Sequence, residues 1–247
     1  MLKSNLLFND DFKKLAKEQG FRKCGMRYLR IVNDVCQSVS LKRIYGFDCD
    51  LEFGVCPLCE NNFCPPEHTF VLFSMDFTLR DLTTGNLKKY SKYKTYSGDD
   101  ESIRKSGEYL YVGLKEIVMP FFESTLNTAK IIGGFTVLYK KTLDLWQLSE
   151  STYKQRLDWN VVGKSWMPYV ALKRHNYDFA KYLLDLNATW TDMREEYYAE
   201  YMHLRDLLYA KEYDKLDEII EENERVNLRR AQILFKTKNP VVPIIIE

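Results

Sequence analysis

The chain has 247 residues, with 36 Lys and Arg against 35 Asp and Glu for a formal net charge of +1, and 45% of it is hydrophobic and 14% aromatic. That balance leaves no overall field to steer the molecule to nucleic acid or an anionic membrane, and the apolar content excludes a disordered chain. No run of about 18 apolar residues suggests a transmembrane helix, so the expectation is a chain large enough to bury a core without disulfides or metal.

The N-terminal stretch MLKSNLLFNDDF lacks the basic and apolar regions of a secretory signal, so a cytoplasmic protein with its six cysteines as thiols is expected. Asn9 suits a helix cap, Asp10 and Asp11 the positive end of its dipole, and Gly20 a stop, which predicts a short helix over about 10–19 with Phe12, Leu15 and Ala16 inward.

Period-two alternation follows. Met26 to Val32 and Val35 to Arg43 flank Asn33-Asp34, a pair that tolerates the left-handed backbone of a tight hairpin turn. In the second strand Val35, Val39 and Leu41 alternate with Cys36, Ser38, Ser40 and Lys42, predicting one buried and one wet face. In a third strand Cys49, Leu51, Phe53 and Val55 oppose Asp48, Asp50, Glu52 and Cys56, so Cys49 is expected in the core and Cys56 on the wet side. Thr69 to Leu79 reads as a fourth strand, and the segment from Leu87 to Gly107 as a long connection without apolar periodicity.

From Glu108 the spacing becomes helical: Leu110, Leu114, Ile117, Val118, Phe121 and Phe122 form a stripe with a kink or break expected at Pro120. Residues 135–159 read as strand or helix equally well. From Lys164 the chain is helical with a weak internal repeat: Tyr177-Asp178 and Tyr213-Asp214 lie 36 residues apart, and at that offset Leu172 meets Leu208, Ala180 meets Leu216, Leu184 meets Ile220 and Asn187 meets Asn223. Each copy reads as helix, turn at Asn176 or Glu212, helix, the pattern of tetratricopeptide-like hairpins. The apolar tail from Asn239 to Glu247 is expected to lie on the body or on a partner.

The stretches GFRKCGMRYLRIVNDVCQSVSLKR (Gly20 to Arg43) and DLEFGVCPLC (Asp50 to Cys59), and more loosely YLYVGLKEIVMPFF (Tyr109 to Phe122), resemble a bacterial family known as domain of unknown function 4304. The resemblance covers roughly the first half of the chain and brings no activity, cofactor or catalytic residue with it. Related small α+β families often stand beside secreted bacterial toxins as immunity proteins, so the resemblance implies a protein-binding role of that kind by analogy.

Three candidate sites stand out. Cys56, Cys59, Cys64 and His68 carry a Cys-x2-Cys start and a donor set that fits tetrahedral zinc, although all four lie within 13 residues and strand alternation accounts for the first two without metal. Lys88, Lys89, Tyr90, Lys92, Tyr93, Lys94 and Tyr96 interleave cations with rings, as single-strand nucleic-acid binding requires, but Asp99, Asp100 and Glu101 follow at once. Asp48, Asp50 and Glu52 share a strand face from which they could hold a cation, act in acid–base work or contact a partner, or simply be solvated. The three histidines, His68, His175 and His203, fall in no catalytic motif, so no enzyme activity is expected. The rings at Trp146, Trp159, Trp166, Trp190, Tyr197, Tyr198 and Tyr201 are spaced mostly as core.

The expected architecture is α+β: an N-terminal helix on a four-stranded antiparallel sheet over residues 1–107, then a helical half over 108–247 with helix-hairpin pairs, forming one continuous unit. The expected function is non-catalytic binding of another protein, a toxin in the sharpest version, with no membrane partner. The alternative is a nucleic-acid-binding or zinc-associated module using Cys56 to His68 and Lys88 to Tyr96.

Overall fold

Helix α1 (12–18) buries Phe12 and Ala16 and stops at Gly20, whose φ of +78° lets the Gly20 and Phe21 amides reach back to the Lys17 and Ala16 carbonyls at 3.1 and 2.8 Å. With no Cβ to oppose the left-handed turn, glycine satisfies two of the helix's last carbonyls. The structure, a computed structural model, describes residues 12–25, 27–43, 49–61, 76–78, 110–111, 113–131, 166–188 and 195–246, without the side chains of 41–43, 49, 50, 52, 76–78, 187, 196 and 197. The ambiguous segment 135–159 lies outside them.

Strands β1 (Arg22–Cys24), β2 (Arg27–Val32), β3 (Val35–Arg43), β4 (Cys49–Pro57) and β5 (Asp76–Thr78) form one antiparallel sheet in sequential order. The first three expected strands are present as β2, β3 and β4, the fourth is described only over Asp76–Thr78, the rest of Thr69 to Leu79 lying outside the described residues, and three-residue β1 adds a short edge beside β2. Asn33, at φ 47°, makes the β2–β3 turn and sets the register Val32↔Val35 that continues to Tyr28↔Val39 and, across to β4, Val39↔Phe53 and Gln37↔Val55. That register gathers Tyr28, Val35, Val39, Leu51, Phe53 and Val55 on one face, where they join a single buried cluster with α1 and the helical half.

The stripe beginning at Leu110 supplies the cover. A π-helical turn, Leu114–Val118, runs into helix α2 (Met119–Ser124), and the Met119 amide donates to the Leu114 carbonyl five residues back. The expected disturbance at Pro120 takes this form: a wider turn just before a residue that cannot donate, rather than a break. Phe121 and Phe122 then meet the Phe53 ring edge-on at 5.6 and 6.4 Å.

The other face of the sheet corrects the sequence reading. Cys36, Ser38, Ser40 and Cys56, expected to be wet, are buried at 1, 2, 6 and 1% exposure. Leu29, Ile31, Cys36, Cys56 and Leu58 form a second apolar cluster with Ala231, against which Leu228, Leu234, Phe235 and Val241 pack. For Cys36 and Cys56 the cover is helix α6 (Tyr213–Leu234), 22 residues and so about 33 Å long. Its first half contributes Leu216 and Ile220 to the main core, while its second half reaches the far cluster, so it spans the end of the sheet. Alternation predicts which residues share a face; it does not show that a distant helix covers that face.

Helices α3 (Met167–Lys173), α4 (Tyr177–Asn187), α5 (Glu195–Tyr209) and α6 form the two expected hairpins. The repeat extends to the turns. His175 and Lys211, 36 apart, have φ of 51° and 59°, and the next amides, Asn176 and Glu212, each donate at 2.9 Å to the carbonyls of Ala171 and Leu207. The same 6→1 closure thus ends both first helices. Tyr177 stacks on Tyr213 at 4.2 Å between ring centroids.

Candidate functional site

The cysteine pair at the end of β4 is divided between the two faces. Cys56 sits opposite Cys36 in the second cluster, whereas the turn after Pro57 carries Cys59 into the main core. Cys56 Sγ lies 3.4 Å from Glu60 Oε2, and burial pushes both thiols well above their ordinary pKa. Zinc takes thiolates, and these environments favour the protonated forms. Cys64 and His68 lie outside the described residues, and among those described no group of three or more His, Cys, Asp and Glu side chains converges as a metal shell would require.

The segment from Lys88 to Tyr96 and Asp48 also lie outside the description. Asp50 and Glu52 are placed on β4 opposite Lys42 and Ser40 by backbone register alone. His175 is exposed, 3.2 Å from Asp217 across the hairpins, and His203 is an exposed helix residue. Of the aromatic residues, Trp166 and Tyr201 are buried and Tyr198 is exposed.

A polar pair within the core escaped the sequence reading. Arg30 and Gln37 oppose each other on β2 and β3, facing the apolar side, with exposures of 4 and 0%. Arg30 Nε donates to Gln37 Oε1 at 2.7 Å and Nη1 to the Gln19 carbonyl at 2.9 Å, while the guanidinium lies 4.7 Å from the Phe21 ring centre. Gln37 Nε2 in turn donates to the Phe122 carbonyl at 2.7 Å. Burial pulls the Arg30 pKa down to about 10, opposed by the field of Glu123, so it remains charged at neutral pH. No carboxylate among the described residues forms an ion pair with it. The signal was available: Arg30 shares parity with Tyr28 and Val32, and Gln37 with Val35 and Val39, on the face assigned to the core.

The C-terminal tail is fixed against this region. Short β1 leaves the end of β2 unpaired, and Ile244 takes that edge in a parallel bridge, its amide donating to the Ile31 carbonyl and its carbonyl accepting from the Asn33 amide, both at 2.9 Å. Asn33 adds side-chain bonds to the Ile246 carbonyl and amide at 3.0 and 3.2 Å. Gly20 makes room for the tail: a Cβ built on it would lie 2.6 Å from Ile244 Cδ1. Val242 and Ile245 nevertheless remain 79 and 74% exposed. Between the tail, α1 and β2 lies a cavity of about 310 Å³, with Lys17, Arg22 and Arg30 among its walls.

Comparison with known proteins finds no matching family model, no matching curated protein and no matching solved structure.

Proposed function

We propose that the protein is a non-catalytic binding protein that recognises another protein, with neutralisation of a toxin as the narrower form of this role. The observation that carries the reading is the C-terminal tail, where Val242 and Ile245 stand exposed at 79 and 74% while the backbone beside them is fixed by hydrogen bonds to β2 and Asn33. An ordered, extended apolar segment left in water is costly to maintain alone and well suited to binding, because its ordering entropy is already spent. Alternation along the tail turns the Ile245 amide and carbonyl away from β2, the geometry that accepts a partner by strand addition. The toxin-directed form draws only on the resemblance to the unknown-function family and on its analogy with immunity proteins.

The test is binding of the purified full chain to the product of its neighbouring gene, compared with a Val242→Asp, Ile245→Asp variant of unchanged melting temperature. Binding by the parent chain and at least tenfold weaker binding by the variant is the expected result. Equal affinity of the two would remove the tail from the site. Absence of any protein ligand for the parent chain would overturn the reading itself.

A further inference from the structure

We propose that the cavity beneath the C-terminal tail is a binding site for a small carboxylate with an apolar body, held by Arg30, Arg22 and Lys17. The inference is independent of the protein-binding role. The cavity measures about 310 Å³, at the lower end of the roughly 300–1,000 Å³ usual for small-molecule sites. Among the described residues its walls contain three cationic side chains and no acidic one.

The cations are graded in depth. Lys17 and Arg22 are exposed at the rim, whereas Arg30 is only 4% exposed. Among the described residues, Arg30 bonds through Nε and Nη1 to Gln37 Oε1, the Gln19 carbonyl and Gln19 Oε1, all neutral acceptors. A guanidinium this deep is costly to hold without a counter-ion, and among the described residues Glu123 reaches it only through its field, with no ion pair. A carboxylate in the cavity supplies one, and planar guanidinium is the natural fork for it. Its charge is supported by neighbours already in place: Arg22 lies over the Phe235 ring at 5.3 Å from its centre, and Arg30 over Phe21 at 4.7 Å.

The remaining walls set the rest of the ligand. Phe21, Ile31, Phe235, Val241 and Ile244 offer hydrocarbon and aromatic surface and no polar side chain. A strongly hydrated ion such as phosphate would gain the cations but lose water against these walls; a fatty or aryl acid gains from both. Because Val241, Val242 and Ile244 belong to the tail, a bound ligand bridges tail and sheet.

The test is isothermal titration of the full chain with decanoate, with decanol and inorganic phosphate as comparators, together with amide exchange at Ile244 and Ile246. Decanoate binding at least tenfold tighter than either comparator, with slower exchange of those two amides, is the expected result. The rim variant Lys17→Gln, Arg22→Gln alters exposed side chains only and is expected to weaken decanoate at least fivefold; Arg30→Met is expected to abolish binding. Equal affinity for decanol, tighter binding of phosphate, unchanged affinity in the rim variant, or no decanoate binding by the parent chain would each overturn the assignment.

Discussion

Asn227 gives the sharpest test of how the second face of the sheet is closed. It is 1% exposed on α6, and its Nδ2 donates to the Leu58 carbonyl at 2.7 Å and the Glu60 carbonyl at 2.8 Å, while Oδ1 accepts from Arg230 Nη1 at 3.1 Å. Replacement by Ala leaves two buried carbonyls without that donor, each at about 1–2 kcal/mol, and a loss of about 2–4 kcal/mol in all is expected. In urea, with a slope near the upper end of the range of about 1–3 kcal/mol/M, the midpoint falls by about 1 M with the slope unchanged. Asn227→Asp is expected to cost more, since an oxygen then faces the two carbonyls. Asn223, half-buried with one bond to the Cys59 carbonyl at 3.0 Å, provides the internal comparison. Its Ala variant should lose only about 0.5–1.5 kcal/mol. An Asn227→Ala chain within about 0.5 kcal/mol of the parent, or no less stable than Asn223→Ala, would refute the clamp.

Gly20→Ala should destabilise by about 1–2 kcal/mol from the left-handed backbone alone and speed exchange of the Ile244 amide, because the new Cβ meets Ile244 Cδ1; unchanged exchange would mean the tail is held elsewhere. Burial raises the Cys36 pKa from 9.0 to about 12. Between those values the unfolded thiol releases its proton and the folded one keeps it, so this stabilisation is complete below pH 9 and declines as pH rises toward 12. Accordingly, the urea-midpoint gap between the parent chain and Cys36→Ala should narrow between pH 8.5 and about 11, and a constant gap would contradict the burial. Cysteine-resolved labelling of native protein at pH 8 should find Cys36, Cys56 and Cys59 inert, with half-buried Cys24, raised to about 11, reacting slowly. Rapid modification of Cys56 would show that its face is open.

Much of the fold was legible because its signals are local. Alternation placed β2, β3 and β4, Asn33-Asp34 marked their turn, and the 36-residue offset between Tyr177 and Tyr213 proved to be a repeat of structure down to the two left-handed turn residues. What stayed hidden depends on distant parts of the chain. Cys36 and Cys56 read as wet because nothing in a strand reveals that a helix beginning at Tyr213 will cover it. The site fared less well for the same reason. Cysteine spacing suggested metal, yet the sheet puts Cys56 and Cys59 in different clusters, while the Arg30–Gln37 pair went unread because it takes the β2–β3 register to bring the two side chains together on the core face.

The central claim, that the ordered tail is a protein-binding edge, is tested most directly by the affinity of the full chain for the neighbouring gene product with and without the Val242→Asp, Ile245→Asp change. The account predicts tight binding by the parent chain, at least a tenfold loss in the variant, and the same melting temperature for both. An affinity indifferent to the two substitutions, in a variant that folds as the parent does, would contradict it.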